Sequence, residues 1–197
     1  MSEDFYERAD SIQVEAQSFL EKSTISKILE LYGQVNLYGS FAFGTMCSRE
    51  IDILLKIDTN LTNDKRDIVQ EITEKLFKLK QEIIDIHFID CFNFKIKKNL
   101  PKGFYLGFDI ADNSIVETWH FDIWLLSTED FLKNMAFVKT VKELMTPELK
   151  RIIMATKNAL TKRNEKVNLS VSYKIYQAVL IEKLRNEEEI FSFIGKS

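Results

Sequence analysis

The stretch Leu37–Leu55, LYGSFAFGTMCSREIDILL, sets two acids at the mouth of an oily run. A short apolar segment enters the Gly39-Ser40 turn, and a loop of small and polar residues follows. Glu50 and Asp52 then alternate with Ile51 and Ile53 ahead of Leu54 and Leu55. Side chains of a strand alternate between faces, so both carboxylates point one way and both isoleucines the other. An unpaired carboxylate costs several kcal/mol to bury, and two side by side repel each other. A bound cation or open solvent has to compensate.

A third acid, Asp122, sits inside the apolar and aromatic stretch TWHFDIWLL, with His120 and Trp124 on its face. If that strand lies beside the one carrying Glu50 and Asp52, three carboxylates converge. Hard oxygen ligands of this kind suit Mg²⁺ or Mn²⁺. Asp85, in EIIDIHFID, is the rival for third place, but it stands nearer the start of its strand, and Asp122 is preferred. The Gly-Ser turn offers a phosphate site. Gly39 lets backbone approach a ligand closely, Ser40 brings a hydroxyl and an N–H, and a short helix over GSFAFGT would add free N–H groups. Taken alone, the turn reads as an ordinary strand end, and Glu50 with Asp52 equally as a solvated strand end or a metal site.

Outward from this stretch, Ser23 is the expected N-cap of a helix over TISKILELYG with Gly33 as its stop. Strands are expected at VNLYG, IDILLKID and EIIDIHFID, the second covered on both faces. Thr62 is the expected cap of a helix through NDKRDIVQEITEKLFKLK, whose Ile68, Val69, Ile72, Leu76 and Leu79 repeat at helical spacing. GFYLGFDI and IVETWHFDIWLL flank the turn-like ADNS as a hairpin. From Ser127 three helices follow: one opened by a Ser-x-x-Asp cap, one with Pro147 in its first turn, and one running from SVSYKIYQ to the end. The expected architecture is α/β (α+β): a mixed sheet with packed helices over residues 1–126 and a helical region over 127–197.

The remaining candidates have plainer readings. Trp119 and Trp124 are expected in the core, Tyr173 and Tyr176 in helix packing, and His120 in a supporting role beside the acids. Lys95, Lys97, Lys98 and Lys102 read as a solvated loop. Lys150, Arg151, Lys157, Lys162 and Arg163 read as the wet face of the middle appended helix, from which one could reach an anion.

A net charge of −3 disfavours a general nucleic-acid coat or a polybasic membrane binder. Cys47 and Cys91 form no metal-ligand spacing and read as reduced thiols. The N-terminus carries early acids rather than a basic and then apolar leader, and no stretch is long and apolar enough to span a bilayer, so a cytoplasmic location is expected.

GSFAFGTMCSREIDI resembles the signature of the nucleotidyltransferase-fold superfamily, the DNA polymerase β-like group. That signature is an apolar strand, Gly-Ser, a spacer, acid-x-acid on the next strand and a third acid on a later one. Gly39, Ser40, Glu50, Asp52 and Asp122 fall where the pattern puts them, and the helical C-terminal part is similar in character to small bacterial members. Two positions depart from it: Glu50, commonly Asp, and Phe43, where many relatives carry a polar or basic residue.

The resemblance implies transfer of a nucleoside monophosphate from an NTP, with Mg²⁺ or Mn²⁺, to a hydroxyl acceptor and release of pyrophosphate. Glu50 and Asp52 would hold the ion on the triphosphate. Asp122 would share a second ion and help take the proton of the attacking hydroxyl, while Ser40 and the Gly39 backbone would hold pyrophosphate. A small-molecule acceptor of the aminoglycoside or lincosamide type is favoured. Transfer to a protein or tRNA, as in toxin-antitoxin systems, and NTP binding without turnover are the alternatives.

Overall fold

Five strands account for the five apolar runs. The computed structural model describes residues 3–57, 65–79, 82–94, 101–111, 117–165, 167 and 169–195. The strands are β1 (Gly33–Tyr38), β2 (Glu50–Ile57), β3 (Ile83–Asp90), β4 (Gly103–Ala111) and β5 (Thr118–Leu126), in the sheet order β1-β2-β5-β4-β3. Only β2 and β5 run parallel, so the sheet is mixed, as expected. Their register sets Asp52 beside Asp122 and Ile53 beside Ile123. With a side-chain period of two, that pairing puts both acids on one face and both isoleucines on the other.

The face opposite the acids is covered by α1 (Glu3–Lys22), α2 (Ile25–Glu30) and α4 (Lys65–Leu76). Ile51, Ile53, Phe108, Trp119, Phe121 and Ile123 pack there with Phe19, Leu29 and Ile72, and the Phe108 and Phe121 rings stack at 5.0 Å. Helices α5 (Thr128–Leu144), α6 (Pro147–Lys162), α7 (Leu169–Tyr176) and α8 (Glu187–Gly195) cover the part of the acid-bearing face formed by Leu54, Trp124 and Leu126. The strand β2 is therefore sandwiched at Leu54 and Leu55 and open at Glu50.

The α5 cap and the place of Pro147 in the first turn of α6 are as expected: Ser127 Oγ accepts from Asp130 N at 3.2 Å, while α6 is capped by Thr146, whose Oγ1 accepts from Leu149 N, a cap not singled out from the sequence. Elsewhere the local expectations change. Ser23 does not cap α2; its hydroxyl donates to Leu20 O at the end of α1, and Thr24 holds the cap position without a side-chain bond. Thr62, the Asp112–Ser114 turn and Lys95, Lys97 and Lys98 lie outside the described residues.

The last helix is not continuous. A π-helical turn, Gln177–Ile181, follows α7, Lys183 takes φ +57°, and Asn186 Oδ1 accepts from Glu188 N to start α8. Periodicity alone does not reveal this break, because the apolar pattern continues across it. Among the described residues no helix is long and apolar enough to cross a membrane.

Candidate active site

Gly39 begins α3 (Gly39–Phe43) directly after β1, with φ +59°, a left-handed conformation that glycine adopts without strain. A Cβ at this position would collide with the Asp52 carboxylate. The bend thus packs against the second acid because it has no side chain there. Glu50, Asp52 and Asp122 come together, each offering an oxygen within 4.8 Å of the others. Asp85 does not join them; it lies on β3 and is paired with His87 at 2.8 Å.

The three carboxyls differ in environment. Asp52 is 7% exposed, and burial together with the charges of Glu50 and Asp122 pushes its carboxyl up to about 8. Burial and the Asp122 charge raise Glu50 as well. Burial opposes charge on Asp122 too, but hydrogen bonds from His120 and Tyr105 overcome it and hold this carboxyl below the usual range. His120 Nε2 lies 3.0 Å from Asp122 Oδ1, and Nδ1 lies 2.6 Å from Asp109 Oδ1. Its hydrogen bond to Asp122, aided by Asp109 and opposed by burial, raises the imidazole to about 9.

The cavity beside Glu50 and Asp52 is lined by Gly39, Ser40, Cys47 and Ser48 from the sheet side and by Phe137, Lys157, Tyr173 and Tyr176 from the helices. Lys157 corrects an expectation. It is not on the wet face of α6; it is 6% exposed and donates to Tyr176 Oη at 3.2 Å. Tyr176 in turn lies 2.6 Å from Thr45 Oγ1, which ties the helices to the loop after α3. Burial works against the ammonium, but Tyr176, Cys47 and Asp52 around it favour the charged form. The signal was present in the sequence: Lys157 stands four residues after Ile153 and three before Leu160, on the apolar stripe of α6. Lys150, Arg151, Lys162 and Arg163 remain half-buried or exposed.

Phe43 also has a structural account, since it is buried and packs edge-to-face on Tyr176 at 5.0 Å. Trp119 and Trp124 are in the core, as expected, whereas Tyr173 is 41% exposed at the cavity. Sequence reasoning did not single out Tyr105, Thr45 or Asp109. Tyr105 was visible only as a strand aromatic, and nothing local to it indicates Asp122.

The donor set is chemically suited to a hard divalent ion: three carboxylates, one of them buried, and no sulfur or imidazole among them. A buried pair of like charges without a counter-ion is unfavourable, and a divalent cation reverses that balance.

No family model matches the sequence, and no curated protein sequence matches it. Solved structures do match. They include the Cid1 poly(U) polymerase with magnesium and 3′-dATP bound, at 15% identity and a TM-score of 0.55 over 90% of this chain and 54% of that one. A cytoplasmic RNA terminal U-transferase matches at 14% and 0.52 over 91% and 53%. The non-canonical poly(A) polymerase complex GLD-2–GLD-3 matches at 15% and 0.50 over 91% and 53%. The chain spans about half the length of these structures. At this identity the likeness establishes the architecture: the chain has the nucleotidyltransferase fold that its Gly-Ser and acid-x-acid pattern implied.

Proposed function

We propose that the chain is an enzyme that transfers a nucleoside monophosphate from an NTP to a hydroxyl acceptor and releases pyrophosphate. The observation that carries this reading is the pairing of acids with a buried ammonium: Glu50 and Asp52 line one cavity with Lys157 of α6, and Asp122 joins the two acids on the sheet. The acids suit divalent ions, and the ammonium suits a phosphate oxygen.

Glu50, Asp52 and Asp122 would hold Mg²⁺ or Mn²⁺, which supplies neutralisation of the triphosphate and activation of the attacking hydroxyl. Lys157 Nζ has hydrogen-bonding capacity beyond Tyr176 and would bind phosphate together with Ser40, which lines the same cavity. The rings of Tyr173 and Phe137, 4.6 Å apart at the cavity, offer a surface for the base. Asp122, as a ligand of that ion, would help the attacking hydroxyl lose its proton.

Two acceptor classes follow. A small hydroxylated molecule is the acceptor favoured by the acidic, compact chain. The matched structures are named for poly(U), poly(A) and RNA terminal U transfer, which favours an RNA end as the second reading and removes the ground for excluding nucleic acid. The region 1–126 would carry the acids and the region 127–197 the ammonium and rings.

The test is release of pyrophosphate from each NTP with Mg²⁺, using either an RNA oligonucleotide or a pool of aminoglycosides as acceptor. Label in the RNA selects the second reading, and label in small solutes selects the first. NTP binding with no product from any acceptor would leave a binding protein, and Mg²⁺-dependent NTP binding that survives Asp52→Ala would overturn the proposal.

A further inference from the structure

Asp122 is held on a single oxygen by side chains from outside the triad. Tyr105 Oη donates to Oδ1, and His120 Nε2 reaches the same Oδ1. Tyr105 comes from β4, diagonal to Asp122, whose direct cross-strand partner is Gly107. A Cβ on Gly107 would collide with the Tyr105 ring and hydroxyl, so the absent side chain opens the lane through which the phenol crosses to β5. His120 lies two residues before Asp122 on the same face, and Asp109, its cross-strand partner, holds the other ring nitrogen. Tyr105, Gly107 and Asp109 of β4 and His120 of β5 are thus arranged around one carboxylate oxygen.

We propose that Tyr105 and His120 are positioning residues that clamp Asp122 Oδ1 and so present Oδ2 to the divalent ion shared with Glu50 and Asp52. The inference rests on the nucleotidyl-transfer reading and adds to it the groups that set the affinity of the ion site. A carboxylate free to rotate presents two equivalent oxygens and loses rotamer freedom on binding; one already fixed by two donors presents one oxygen, with that entropy already lost on folding. Outer hydrogen-bond partners of metal ligands typically contribute about 10- to 100-fold in metal affinity. Neither residue is among those lining the cavity that holds Ser40 and Lys157, so the effect belongs to ion binding before it belongs to turnover.

The experiment measures Mn²⁺ binding to the full chain by the loss of the free-ion paramagnetic signal, with thermal midpoints taken without metal. Tyr105→Phe keeps the ring and removes only the donor; it is expected to weaken Mn²⁺ about tenfold while moving the midpoint by no more than a few degrees. His120→Ala is expected to weaken Mn²⁺ to a similar degree. His120→Gln, whose Nε2 retains a donor, is expected to recover most of the affinity. A purely structural role would move the midpoint and leave Mn²⁺ affinity unchanged.

If Asp52→Asn loses Mn²⁺ but Tyr105→Phe and His120→Ala bind it as the wild type does, the clamp is wrong and the active-site reading stands. If His120→Gln is as weak as His120→Ala, hydrogen-bond donation by His120 is wrong. If the wild type binds no Mn²⁺ with or without ATP, the clamp and the reading fall together.

Discussion

The two faces of the sheet are built on different terms. Behind it, α1, α2 and α4 close an apolar core in which Trp119, Phe121, Ile123 and Leu125 have no exposure. In front, α5 to α8 close a second core that admits a polar chain, Thr45 to Tyr176 to Lys157, and stops short of Glu50, Asp52 and Asp122. Burying a hydroxyl or an ammonium costs free energy unless it is bonded; the back limits this to single groups such as Ser23, bonded to Leu20 O, while the front links several in a chain. The difference teaches where to look for function: Asp52 and Lys157 are buried at one cavity and Thr45 is bonded to its Tyr176, whereas buried Ser23 and Asp90 sit at element ends with local partners.

The largest expected effect tests the back. Phe121→Ala removes a ring stacked on Phe108 and should destabilise the fold by about 3–5 kcal/mol, read by denaturant unfolding, while the folded fraction binds NTP normally. On the front, Asp52→Asn should lower Mg²⁺-dependent NTP binding by about 100-fold, the scale of losing a buried charge-assisted contact to the ion. Its stability without metal should not fall, because the change removes an uncompensated buried acid. Equal destabilisation by both variants would erase the contrast between the faces.

Lys157→Met comes next. A chain of similar length replaces the ammonium, and Tyr176 keeps its contact with Thr45. Stability should change by about 1 kcal/mol or less, while NTP affinity measured by calorimetry falls about tenfold. A large loss of stability with normal affinity would make Lys157 structural.

Stability against pH should separate the two charged groups of the front face. Asp52 and His120 are raised in the fold to about 8 and about 9, so the native state holds protons that the unfolded chain releases. By linkage the metal-free chain loses stability as pH rises, from about 4 to 8 through Asp52 and from about 6.5 to 9 through His120. Thermal midpoints should show this fall, Asp52→Asn should remove its lower part, and Mg²⁺ should stabilise more at pH 8 than at pH 6. A flat profile would contradict these environments. The smallest effect is Ser127→Ala, which removes the α5 cap and should cost about 1 kcal/mol in unfolding free energy without changing NTP affinity.

Much of this was legible because it is local. Apolar alternation and apolar runs marked all five strands, the Ser127 cap and Pro147 marked two helix starts, and Gly39, Ser40, Glu50 and Asp52 stood out as site candidates within a few positions of one another. Periodicity also carried the position of Lys157, although charge suggested the opposite face. The break after Tyr176 and the reassignment of Ser23 were not legible, because a cap or a π turn is chosen by which backbone groups the surrounding fold leaves unpaired.

The sequence by itself determined most of the elements and the residue types of the candidate site, since both follow from side-chain type and short-range spacing. Only the tertiary structure decided that β2 and β5 are neighbours in parallel with Asp52 level with Asp122, that Lys157 enters the same cavity, and that Tyr105 crosses Gly107 to reach Asp122. Those are pairings between residues far apart in the chain. They are selected by which apolar faces cover each other, and a one-residue slip of β5 would have turned Asp122 into the back core.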